Sequence, residues 1–132
     1  MSKQKPSLYS PLVLAYIGDG VYELYVRSKL IDEHSDMPPN KLHILATTHV
    51  KASAQSNAML LIEPILSEDE LTIYKRGRNA KSATVPKNAD VSEYRRATGF
   101  EALIGYLYLS EKEQRLNEIM GIAYNSSKSH NK

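Results

Sequence analysis

Two acidic residues stand inside stretches that are otherwise apolar. Asp19 lies in Leu14-Ala15-Tyr16-Ile17-Gly18-Asp19-Gly20-Val21-Tyr22, and Glu101 lies in Thr98-Gly99-Phe100-Glu101-Ala102-Leu103-Ile104-Gly105-Tyr106-Leu107. A carboxylate in such surroundings needs a metal ion, a basic partner or a raised pKa. Hard divalent cations choose carboxylate oxygens, and magnesium takes one or two of them together with waters and substrate phosphates. A cation held in this way can activate water and stabilise the leaving oxygen of a phosphodiester. That chemistry needs neither thiolate nor imidazole, which suits a chain with no cysteine. Glu23 follows Asp19 by four residues and shares its helical face. Two plainer readings stay open at this stage. Asp19 could cap the second of two short helices, and Glu101 could pair with Arg27, Arg95 or Arg96.

The charge of the chain is segregated. The formal total is only +2, yet Lys75, Arg76, Arg78, Lys81, Lys87, Arg95 and Arg96 face just Asp90 and Glu93 in their stretch of the chain. No acid occurs between Lys75 and Lys87. Such a local surplus concentrates positive potential where a polyanion can dock, although a solvated loop that keeps the protein soluble has the same composition. Arg76, Arg78, Lys81, Lys87 and Arg95 are the candidate nucleic-acid contacts. The histidines form no ligand set: His43 and His49 are six apart on different faces of one helix, and His34 and His130 stand alone. They read as structural or solvent-facing.

The elements that must position these groups read as helices throughout. Ser10-Pro11 sets a hydroxyl cap before a proline at the first helical position, and an apolar pattern follows to Leu30. Gly18 and Gly20 cost that helix roughly 2 kcal/mol relative to alanine, a penalty that implies a gain at the site. Asp36 with Pro38-Pro39 opens a second segment through Ala54. Ser67 with Glu70 is a capping box for a third helix that fades at Gly77. Asp90 with Glu93 and Ser110 with Glu113 repeat the spacing and introduce helices of about 18 and about 14 residues. Gly99 and Gly105 are small enough to admit another backbone. Alternation typical of strands is absent, and the stretch from Arg78 to Ala89 reads as a loop. The expectation is an all-α, orthogonal or irregular bundle of five or six helices.

At 132 residues and 14.8 kDa, with 42% hydrophobic residues, one domain with one core is expected. No apolar run approaches the length of a membrane span, and Met1 to Ser7 lacks the apolar centre of a signal peptide. A cytoplasmic protein with no membrane partner is expected. Residues 1–7 read as a flexible start, 8–124 as the folded domain and 125–132, rich in Ser, Asn and Lys, as a flexible tail.

Three separated motifs now acquire a common meaning. Leu14 to Glu23 resembles the signature helix of the ribonuclease III family, and Phe100 to Leu109 resembles that family's second acidic helix. Arg76-Gly77-Arg78-Asn79-Ala80-Lys81 and Tyr94-Arg95-Arg96-Ala97-Thr98-Gly99 resemble the compact Mini-ribonuclease III branch, which lacks a double-stranded-RNA-binding domain. The likeness covers residues 8 to 122. It implies a single ribonuclease III-type endonuclease domain of five to seven helices. It further implies a homodimeric, Mg²⁺-dependent endoribonuclease, with Mn²⁺ an acceptable substitute, that cuts double-stranded RNA to leave 5′-phosphate and 3′-hydroxyl ends. The branch is associated with maturing the large-subunit (23S) ribosomal RNA precursor in Gram-positive bacteria, with a ribosomal protein on the pre-ribosome as a further partner. By position Asp19 and Glu101 match the two acids that hold the catalytic metal. Ala15 and Thr98 stand where ribonuclease III carries two more metal-linked carboxylates, as is usual for the compact branch, and Glu23 matches no ligand. The first helix, through Leu12, Ala15, Tyr16, Val21 and Tyr22, is the candidate dimer face. The rival functions are a non-catalytic double-stranded-RNA-binding protein that retains the fold and a helical protein-interaction module.

Overall fold

The first helix is unbroken across its two glycines. Ser10 Oγ accepts from the amide of Val13 at 3.2 Å, Pro11 takes the first helical position, and α1 runs from Pro11 to Glu33. Asp19 therefore caps nothing; it sits in the middle of a 23-residue helix. In the computed structural model, which describes residues 4–81, 85, 87 and 90–130, α1 is followed by α2 (Pro39–Val50), α3 (Ala52–Ile62), α4 (Glu68–Asn79), α5 (Val91–Leu109) and α6 (Glu113–His130). Short 3₁₀ turns cover Pro6–Leu8 and Glu63–Ile65, and no strand occurs among the described residues.

Several boundaries differ from the sequence expectation, each for a local reason. The segment expected to run from Asp36 through Ala54 is two helices, broken where Lys51 turns to φ −65° and ψ 156°. Neither helix carries a side-chain cap, and Pro38 rather than Asp36 stands before α2, so no residue announced the break. The capping box at Ser67 and Glu70 forms as expected. However, α4 does not fade at Gly77: it continues to Asn79 because Gly77 is a packing residue, fronting Gly99 and Ala102 of α5. Ser110 caps the end of α5, not the start of α6. Glu111 takes the left-handed conformation (φ 59°), and the amides of Glu111 and Lys112 return to the carbonyls of Tyr108 and Leu107. This is the Schellman arrangement, with glutamate where glycine is usual.

The ends of the chain are also more ordered than their composition suggests. Arg76 donates to the carbonyls of Ser7 (2.8 Å) and Tyr9 (3.2 Å), fixing the turn at Pro6–Leu8. The tail expected to fray from Asn125 continues α6 to His130, while residues 131 and 132 lie outside the described residues. Ser126 and Ser127 are buried. Ser127 Oγ hydrogen-bonds Nδ1 of the buried His49 at 2.5 Å, and the His49 ring stacks on Tyr124. The Tyr124 hydroxyl donates to Glu33, which Lys128 also pairs, so α6 is tied to the end of α1. At the other end of α6, Arg115 holds both oxygens of Glu70 and the carbonyl of Ile65.

The core is built around α5, whose residues 102 to 107 are all buried. Its most extensive partner is α1, and the two approach at the level of their main chains. A Cβ on Gly18 would come within 1.8 Å of the Glu101 carbonyl oxygen, and one on Gly105 within 2.0 Å of the Leu14 carbonyl oxygen. Gly20 has open space instead: among the described residues, no atom beyond its own helix backbone and chain neighbours would lie within 4 Å of a Cβ there. Larger buried side chains of α1 (Leu14, Tyr22, Val26, Leu30) fill the flanks of this contact.

The three glycines therefore respond to alanine with opposite signs. Gly18→Ala and Gly105→Ala force main chains apart and lose at least ~2 kcal/mol of stability. Gly20→Ala gains roughly 0.5–1 kcal/mol from helix propensity. Urea unfolding of the three variants checks this; equal effects at Gly18 and Gly20 would remove the close-contact explanation.

Candidate active site

The glycine contact decides where the acids fall. Gly18 fronts the carbonyl of Glu101, so the next residue on α1, Asp19, carries its carboxylate alongside the Glu101 side chain. Asp19 is exposed, and Glu101 is half-buried between α1 and its own helix. Burial, and then the charge of Asp19, push the Glu101 carboxyl up to about 8. Like charges this close cannot both ionise without a compensating partner.

Basic side chains do not supply that partner. Among the described residues Glu101 is in no ion pair: Arg27 pairs with Glu23 at 3.0 Å, Arg96 donates to Ser56 Oγ at 2.6 Å, and Arg95 is exposed. Glu23 is thereby engaged elsewhere, although it shares the helical face of Asp19. Ala15 is buried in the core, and Thr98 donates its hydroxyl to the Tyr94 carbonyl of its own helix. Neither position brings a further charge. No group of three or more acids, histidines or cysteines assembles among the described residues.

One neighbour lies outside the sequence expectations. Gln55, on α3, is 2% exposed, and its amide faces the Glu101 carboxyl, where it favours the charged form. Its Nε2 nevertheless makes no hydrogen bond among the described residues. The only sequence signal was a lone amide in the small-residue run Ala52-Ser53-Ala54-Gln55-Ser56. The arrangement suits a hard cation, since two carboxylates converge from different helices.

The basic candidates separate into different environments. Arg76 and Arg78 belong to α4 and not to a loop. Arg76 is occupied by the Ser7 and Tyr9 carbonyls, whereas Arg78 lies over the Tyr74 ring at 5.7 Å and donates to Asn79. Lys81, Lys87 and Arg95 are exposed, while residues 82–84, 86, 88 and 89 of the expected loop lie outside the described residues. The candidate dimer face also divides. Ala15 and Tyr22 are core residues and Val21 is half-buried, because successive turns of α1 pack on α5; Leu12 and Tyr16 face solvent, Tyr16 at 82% exposure. Among the histidines, His49 is buried in the core and His43 is exposed.

Comparison with known proteins places this geometry. Residues 12–112 match the Ribonuclease III domain family. The chain is 49% identical over 94% of its length to a Mini-ribonuclease 3 of Clostridium tetani, covering 82% of that protein. It is 53% identical over 90% of its length to a Mini-ribonuclease 3 of Brevibacillus brevis, covering 88% of that protein. A crystal structure of a Fusobacterium nucleatum protein superposes with a TM-score of 0.79 at 35% identity, covering 87% of this chain and 91% of the other. The helix that carries Asp19, the helix that carries Glu101 and the glycines that join them all fall within the matched span, and the chain belongs to the ribonuclease III family of endoribonucleases.

Proposed function

We propose that this endoribonuclease cleaves double-stranded RNA with a divalent cation held by Asp19 and Glu101, Mg²⁺ in the cell and Mn²⁺ as a working substitute. The observation that carries this reading is the juxtaposition of two carboxylates with no basic partner among the described residues. When bound, such a cation lowers the pKa of water and stabilises charge on the leaving oxygen. The chain supplies the rest. Asp19, which is exposed, and Glu101, which is half-buried, would hold the cation between them through their carboxylate oxygens. The α1–α5 contact keeps both carboxylates in place while the phosphodiester approaches. The products are a 5′-phosphate and a 3′-hydroxyl.

A-form RNA presents a wide, shallow minor groove bordered by phosphates and 2′-hydroxyls, and proteins read it chiefly by shape. Arg78, Lys81, Lys87 and Arg95 are the proposed phosphate contacts. One site cuts one strand, and two antiparallel strands require two sites related by a two-fold axis. A homodimer meets that requirement, and the exposed Leu12 and Tyr16, just ahead of Asp19 on α1, support it. The proposed substrate is a stem of the 23S ribosomal RNA precursor, in the cytoplasm, with a ribosomal protein of the pre-ribosome as partner, as the resemblance of the sequence to the compact branch implies.

Three outcomes test this reading. Asp19→Asn lowers Mg²⁺-dependent cleavage of duplex RNA more than ~100-fold while RNA binding persists; gels run in Mg²⁺ and in EDTA show it, and parental cutting by the variant overturns the assignment. Removing Arg78 and Lys81 together flattens the logarithmic salt dependence of binding by roughly 1.8. Arg76→Ala leaves that slope alone and lowers the melting temperature, because its partners are protein carbonyls. The third outcome concerns pH. Glu101 holds its proton to about 8 when folded, against 4.5 for the ordinary group, so the cation-free folded state binds the extra proton between those values. Its stability consequently falls as pH rises from 4.5 towards 8, and Glu101→Gln removes the fall. Melting in chelator across this range checks the sign; a pH-independent difference between parent and variant contradicts the coupling.

A further inference from the structure

Gln55 is used by neither the proposed chemistry nor the proposed RNA contacts, yet its environment is unusual. A buried donor without a partner is rare in folded proteins, and where one occurs at a functional site it calls for an explanation. Gln55 is enclosed between Ala54 and Ser56, both also buried, on the face of α3 that packs on α5. The helix cannot easily rotate to expose the amide. At the very next residue, Arg96 of α5 holds Ser56 Oγ at 2.6 Å and fastens α3 to α5 about one and a half turns before Glu101. The amide thus faces the Glu101 carboxyl from α3, which packs on α5, with Nε2 unengaged among the described residues. A methionine or leucine would fill the same space without leaving a donor unpaired. The amide is explained if Nε2 donates to the Glu101 carboxylate when a cation is held there.

We infer that Gln55 is the positioning residue of Glu101. Its Nε2–H donates to one oxygen of the Glu101 carboxylate, orients the group, and leaves the other oxygen to face the cation beside Asp19. Partners of this kind hold ligating groups in orientation and sustain their affinity for the metal. The role rests on the cation site proposed above and assigns Gln55 no contact with substrate.

Mn²⁺ binding to the full chain, followed by the loss of the free-ion electron paramagnetic resonance signal, tests the inference without RNA. Three variants are compared with the parent: Gln55→Met, Gln55→Asn and Asp19→Asn. Gln55→Met weakens Mn²⁺ binding ~10-fold or more. Its melting temperature in chelator is equal to or above that of the parent, because an unpaired donor has been removed. A merely structural glutamine would give the reverse, a lower melting temperature with unchanged Mn²⁺ affinity. In saturating Mn²⁺ the variant retains its KM for duplex RNA and loses kcat. Should Gln55→Met fail to show a helical circular dichroism spectrum, Gln55→Asn carries the test. It keeps the amide but withdraws it by about 1.5 Å, and weakened Mn²⁺ binding is again expected. Parental Mn²⁺ affinity in a folded Gln55 variant, with binding lost in Asp19→Asn, overturns this inference alone. Parental affinity in Asp19→Asn overturns the cation site itself, and the positioning role with it.

Discussion

The contact between the main chains of α1 and α5 is the constraint on which the rest of the molecule depends. Two helices ordinarily pack through side chains and can slide or rotate by fractions of an ångström as those side chains adjust. Here Gly18 and Gly105 let carbonyl oxygens of the opposite helix occupy the volume a Cβ would need. Backbone atoms do not change rotamer, so both the rotation and the height of one helix against the other are fixed. Asp19 follows immediately from one side of that contact, and the carbonyl in it belongs to Glu101 itself. The separation of the carboxylates is therefore an outcome of main-chain geometry. Gly77 and Gly99 extend the same device to α4 on another flank of α5.

The electrostatics follow from that placement. Apolar residues surround the pair and basic side chains are diverted: Arg27 to Glu23, Arg96 to Ser56, Arg76 to the N-terminal carbonyls. What remains is a repulsion that a proton relieves and that a divalent ion is suited to relieve in its place. The Glu70–Arg115 pair illustrates the opposite arrangement, since there a carboxylate meets a bidentate guanidinium and its pKa is lowered, chiefly by the hydrogen bonds from Arg115.

The legible parts of the sequence were those with local signals. Ser10-Pro11, the Ser67–Glu70 box and Asp90 each cap a helix where expected, because caps act within one turn. Asp19 and Glu101 were visible as misfits in apolar helices, and Gly105 as a place for close approach. What escaped were effects set by distant partners. The break at Lys51 has no cap to announce it. Gly77 has the look of a terminator unless α5 is known to lie against it. Arg76 counts as free charge until its carbonyl partners, almost seventy residues earlier, are in view. Gln55 gave only the faint cue of an amide among small residues. Ala15 and Tyr22 look like interface in the sequence and are core in the fold, because an amphipathic pattern cannot say which apolar surface covers which.

The last turns of α6 show how misleading composition can be. Asn125 to His130 has the makeup of a dispensable appendage, and a truncation planned from residue content would end the protein before it. Such a cut removes Ser127 and Lys128 along with the helical turn that carries them. His49 is then left stacked on Tyr124 with a ring nitrogen deprived of its partner, and Glu33 keeps only one of its two contacts to α6. Engineered fusions and shortened versions of this nuclease need to preserve that polar latch at the carboxyl end.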